Sequence, residues 1–129
     1  AALLAVTRGM RGDKDLGNYT LDVWRGLLYV SLPLSFGVGA VLVAEGVPMT
    51  FQGNLAVTTL EGGTQVIARG PVAAVVAIKQ LGTNGGGFFG PNAAHPFENP
   101  TGLSNVVECV CILVVPMACV VMFGVMLRD

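Results

Sequence analysis

Residues 71–90 read PVAAVVAIKQLGTNGGGFFG, and two kinds of local instruction meet inside them. The first part, Pro71 to Leu81, is apolar except at Lys79 and Gln80 and carries helix punctuation. Pro71 suits the first helical position, and Gly82 suits the residue just past the end, where a left-handed backbone is often required. At about 1.5 Å per residue such a helix reaches roughly 16 Å, about half the hydrocarbon core of a bilayer. The second part holds the consecutive glycines Gly85, Gly86 and Gly87. Glycine adopts backbone angles closed to other residues, so successive carbonyls there can be turned to one side. A half-length apolar helix feeding glycine-rich backbone is the pattern of a re-entrant loop, a form that a membrane tolerates only where protein or a water-filled cavity lines it.

Working outward, this segment lies between two uncharged runs. Gly26 to Ala44 separates Arg25 from Glu45, and Cys109 to Leu127 separates Glu108 from Arg128. Each reaches roughly 28 Å as a helix, enough to cross a bilayer core of about 30 Å. Trp24 and Tyr29 bracket the first end of the earlier run, as interfacial aromatics do. Pro33 and Pro116 are tolerated in membrane helices whose neighbours satisfy the freed carbonyls, and Pro116 is a place for a kink. Ser31, Ser35 and Gly39 recur every four residues and form a small-residue stripe where another helix backbone can approach.

Composition agrees with lipid as the solvent. Hydrophobic residues make up 53% and charged residues only 12%, where a soluble domain carries about 25% charged. A folded monomer of this size cannot bury that much apolar surface in its own interior. The net charge of -1 offers no attraction to nucleic acid. Cys109, Cys111 and Cys119 sit in one apolar run without CxxC spacing or a histidine cluster, and read as small buried hydrophobes rather than disulfide or metal partners. The opening stretch lacks the order of a signal peptide, and the start at Ala1 without Met points to a piece of a longer polypeptide.

These readings give an all-α membrane protein, organised as a membrane-pore-membrane repeat. Its expected parts are a cytoplasmic or interfacial segment (1–25), a transmembrane helix (26–44), an external connection (45–69), a pore helix with its filter loop (70–90), a second external connection (91–105), a second transmembrane helix (106–127) and a cytoplasmic end (128–129). Arg8, Arg11, Lys14 and Arg25 precede the first span and Arg128 follows the second. The positive-inside rule then puts both termini in the cytoplasm and the loop between the spans outside.

The glycine strand carries the chemistry. A cation sheds its water when a ring of carbonyl oxygens replaces the hydration shell. The short helix aims its C-terminal, partly negative end at the same place, which favours a cation over an anion. One loop cannot surround an ion, so the remaining strands must come from other repeats or chains. A rival reading takes Gly85, Gly87 and Gly90 as a G-x-G-x-x-G dinucleotide fingerprint. It fails on context, because an apolar helix precedes the glycines where a strand is needed and Pro91-Asn92 follows where a helix should begin.

Around the strand, His95 reads as a hydrogen-bonded scaffold residue. Glu98 and Glu108 read as solvated or helix-capping residues, or as cation attractors at an outer mouth. Thr101 or Ser104 is the expected start of the second span. Lys79, a cation in an apolar helix, needs a carboxylate or carbonyl partner or an aqueous exit. It serves either as an anchor or as a fixed charge limiting cation occupancy.

The stretches GPVAAVVAIKQLGTNGGGFFGPNAAHPFENPTGLSN and LGNYTLDVWRGLLYVSLPL resemble the second of four membrane-pore-membrane repeats in the A subunit of Kdp potassium-transporting ATPases, within the superfamily of K+ transporters. The resemblance implies a K+ selectivity filter at Thr83, Asn84, Gly85, Gly86 and Gly87, acting mainly through main-chain oxygens, with Lys79, Gly82 and Phe88 as support. It also implies K+ as the transported ion, no organic cofactor in this chain, a bacterial inner-membrane location, and assembly with the remaining repeats and with B, C and F subunits. ATP hydrolysis would belong to the P-type B subunit. A Trk- or Ktr-like transporter shares the repeat architecture and is the nearby alternative.

Overall fold

A computed structural model describes residues 1–127; the expected cytoplasmic end at 128–129 lies outside the described residues. The chain is mostly helical. Helix α1 spans Ala2–Arg11, and the first long helix, α2, runs over Tyr19–Ala44. A two-stranded antiparallel hairpin follows, β1 over Leu55–Thr58 and β2 over Thr64–Ile67. The short helix α3 spans Val72–Gly82 and the second long helix, α4, spans Gly102–Leu127.

The hairpin corrects the all-α expectation. Its strands are rich in Leu, Val, Thr and Ile, and Gly62, at φ 81°, turns the chain between them. β-Branched residues on both sides of a glycine turn favour pairing over a structureless connection.

Both long helices extend beyond their uncharged runs. Helix α2 begins at Tyr19, where the Asn18 side chain accepts the Leu21 amide at 3.1 Å as an N-cap. Within it, residues Gly26–Ser31 form a π-helical turn, and the Leu32 amide reaches back to the Leu27 carbonyl. Pro33 follows at once. A proline ring collides with the carbonyl four residues earlier, and a widened turn relieves that collision. Helix α4 begins at Gly102. Thr101 Oγ1 accepts the Ser104 amide at 3.0 Å while Ser104 Oγ accepts the Thr101 amide at 3.0 Å, a reciprocal cap that satisfies two otherwise orphaned donors. Thr101 is therefore the cap, and Ser104 completes it from the first turn. The helix continues through Pro116.

The core lies around α3. It packs between α2 and α4, and Leu42, Val47, Val72, Ala73, Val76 and Ala77 form the buried cluster. A Cβ added at Gly39 would sit 3.9 Å from the Ala77 Cβ, so the small-residue stripe of α2 does face another helix at this point. The long helices themselves are hardly covered: in the apolar window of each, only 6% of residues are buried. A core helix of a soluble protein is not left bare in this way, and two helices of 26 residues are long enough to cross a bilayer. The cysteines follow the same rule. Cys111 is buried, but Cys119 is half-buried and Cys109 exposed, which corrects the expectation of three buried thiols.

Candidate functional site

Helix α3 delivers the chain into the glycine segment through a cap that differs from the expected one. Pro71 (φ -77°, ψ 55°) stands at the cap position outside the helix, and Val72 is the first helical residue. Gly82 remains helical, and the left-handed residue is Thr83, at φ 52° and ψ 25°. A β-branched residue rarely adopts that conformation, so Thr83 is a strained end to the helix. Gly85 is left-handed too, at φ 73°, where the absence of a Cβ makes the turn accessible. The Asn84 side chain accepts the Gly86 amide at 3.0 Å, closing an Asx turn across Gly85. Residues Thr83 to Gly87 are all exposed.

Behind this exposed loop lies a knot of buried polar side chains. Glu98 is 0% exposed, and its Oε1 accepts the Phe88 amide at 2.8 Å. The same oxygen lies 3.4 Å from Lys79 Nζ, itself 3% exposed. At the next residue of α3, Gln80 Nε2 donates to Glu108 Oε2 at 2.7 Å, joining α3 to α4. Glu98 Oε2 and Glu108 Oε1 are buried without a partner among the described residues. Lys79 thus has the carboxylate partner that its position demands. Glu98 and Glu108 are buried rather than solvated, and neither caps a helix. That part of the expectation is corrected: Glu98 accepts the Phe88 amide beside Lys79, and Glu108 accepts from the Gln80 side-chain amide.

Two glycines let this knot close. A Cβ on Gly87 would approach Glu98 Oε1 at 2.8 Å and Lys79 Nζ at 2.9 Å and would collide with the Gly90 carbonyl oxygen. A Cβ on Gly70 would lie 2.6 Å from the Phe88 ring, so Phe88 packs directly on the backbone leading into α3. Phe89 stacks on His95, with centroids 4.1 Å apart and an interplanar angle of 16°. His95 Nδ1 accepts the Phe97 amide at 3.2 Å, and its carbonyl accepts the Glu98 amide at 2.8 Å. The histidine therefore shapes the turn that presents Glu98, as a scaffold residue does. Thr101 Oγ1 donates to Glu45 Oε2 at 2.6 Å, tying the start of α4 to the end of α2.

The sequence reading found the loop residues but missed the knot. Lys79 was the available signal. Between the two uncharged runs the acidic residues are Glu45, Glu61, Glu98 and Glu108, and Glu98 lies in the turn that follows the glycine strand. The dinucleotide reading fails on structure as well. A helix precedes the glycines, and a short 3-10 turn, Pro91–Ala93, follows them in place of the phosphate-binding helix.

A bare pair of long apolar helices around a short buried helix defines a membrane-protein segment. The model of the family described as the potassium-transporting ATPase A subunit matches residues 1–129, and the chain belongs to that family. Relatives called potassium-transporting ATPase potassium-binding subunit include that of Leptospira interrogans, 54% identical over 95% of this chain. Those of Anabaena sp. and Rhodospirillum centenum are 50% identical over 98% and 100% of it. The chain covers 22% of the Leptospira and Anabaena proteins and 23% of the Rhodospirillum protein.

Proposed function

We propose that this chain is one membrane-pore-membrane repeat of a K+-conducting subunit in an ATP-driven uptake pump, with main-chain oxygens of Thr83, Asn84, Gly85, Gly86 and Gly87 forming its quarter of a selectivity filter. The observation that carries the reading is the helix α3 of 11 residues, buried between two bare helices of 26 and ending at an exposed glycine strand. Its C-terminal end carries partial negative charge toward the loop, and carbonyls free of internal partners are what a dehydrated cation requires. The name shared by the relatives supplies K+ as the ion.

In this reading α2 and α4 cross the bacterial inner membrane, the termini are cytoplasmic and the hairpin faces outward. The remaining repeats supply the other filter strands. ATP hydrolysis takes place in a P-type B subunit, with C and F subunits accompanying it, and this chain contributes selection and conduction without a chemical step. Lys79, Gly82 and Phe88 support the strand from behind.

The test is Gly86→Ala in the full-length subunit within the assembled pump, read as K+-stimulated ATP hydrolysis against K+ concentration. The expected result is a weaker apparent K+ affinity or a poorer preference for K+ over Rb+. Native K+ dependence and native ion preference in that variant would overturn the reading.

A further inference from the structure

The peptide joining Gly87 to Phe88 is held by a single buried atom. Phe88 N–H donates to Glu98 Oε1 at 2.8 Å, and Lys79 Nζ stands 3.4 Å from the same oxygen. No peptide bond among the described residues is cis. In a trans peptide the N–H of one residue and the C=O of the preceding one lie in one plane and point in opposite directions. Fixing the Phe88 amide on the buried carboxylate therefore turns the Gly87 carbonyl away from the protein interior. We infer that Glu98 is a positioning residue for ion selectivity: its carboxylate, oriented by Lys79, sets the direction of the Gly87 carbonyl. The inference rests on the filter reading above.

Three further features single out this contact. Glu98 is fully buried, so its carboxylate is shielded from solvent. Its backbone is fixed by the His95 turn, through a Glu98 amide to His95 carbonyl bond of 2.8 Å. Gly87 has no room for a Cβ against Glu98, Lys79 and the Gly90 carbonyl, so the strand is pressed onto the bridge at the residue whose carbonyl it orients. Among the described residues, Gly86 is the only other loop position with a side-chain acceptor on its amide, the exposed Asn84. The buried bridge is thus the firmer hold on the strand. Selection between ions of similar size depends on where coordinating carbonyls sit and how far they yield, which gives a distant carboxylate leverage over ion choice without touching the ion.

The experiment compares two double variants of the full-length subunit in the assembled pump. Lys79→Met with Glu98→Gln removes both charges but keeps an amide oxygen to accept the Phe88 amide. Lys79→Met with Glu98→Met removes the same charges at similar volume and leaves no acceptor. The readout is the ratio of apparent affinities for K+ and Rb+ in stimulating ATP hydrolysis, with Gly86→Ala measured alongside. The Met form is expected to show a ratio about fivefold below that of the Gln form, the size of one hydrogen bond to a neutral acceptor. Equal ratios in the two forms overturn the inference. So does failure of the Met form to assemble while the Gln form selects normally, since the bridge would then serve folding alone. A native ratio in Gly86→Ala as well brings down the filter reading itself; a shifted ratio in Gly86→Ala with equal double variants brings down only the positioning role.

Discussion

The long helices and the segment between them invert each other's burial. Phe36 on α2 is 83% exposed and Val120 on α4 is 70% exposed, whereas Lys79, Glu98 and Glu108 are at most 3% exposed. In water this arrangement would be upside down. In a bilayer it is consistent, because apolar surface costs nothing against lipid tails and charged groups must find partners inside. The contrast teaches that stability in this chain is concentrated in the short central segment, and that the long helices depend on their surroundings.

The largest effect is expected where that contrast is broken from the inside. Glu98→Ala in the full-length subunit leaves Lys79 buried without its partner and the Phe88 amide unsatisfied, at a cost of about 3–5 kcal/mol. The amount of assembled pump recovered on size-exclusion chromatography should fall steeply; native recovery would show that water reaches the knot. Next comes Gly87→Ala, whose methyl group meets the ion pair and the Gly90 carbonyl. Overpacking of this kind costs about 1–3 kcal/mol, to be read as a lowered thermal midpoint of the purified complex, and an unchanged midpoint would mean that the strand can step away from Glu98. Thr101→Ala removes the hydroxyl that caps α4 and binds Glu45, for a loss of about 1 kcal/mol in the same melting experiment. The smallest effect belongs to Phe36→Leu, expected within about 0.5 kcal/mol if that face meets lipid. A larger loss there would sharpen the comparison, by revealing that another repeat covers this face of α2.

Much of the architecture was legible because periodicity and length are local properties. Two uncharged runs and one half-length apolar run identify three helices before any contact is known. The hairpin was less visible, since Leu55–Thr58 and Thr64–Ile67 are short and lie in a polar, turn-rich stretch. Cap chemistry was read correctly in kind and displaced in place: the left-handed residue fell on Thr83 rather than Gly82, because α3 keeps one more residue in its last turn.

The site divides in the same way. Glycine content at residues 85–87 follows from composition alone, and so does the need of Lys79 for a partner. Which carboxylate answers that need is a long-range fact. Glu98 lies 19 residues from Lys79, and Glu108 lies 28 from Gln80. By itself, the sequence determined the solvent, the helix lengths and the permissive backbone of the loop, since these depend on side-chain polarity and conformational freedom within a few residues. Only the tertiary structure decided which buried groups meet and that the Phe88 amide lands on Glu98, because both depend on atoms brought together by packing α3 between α2 and α4.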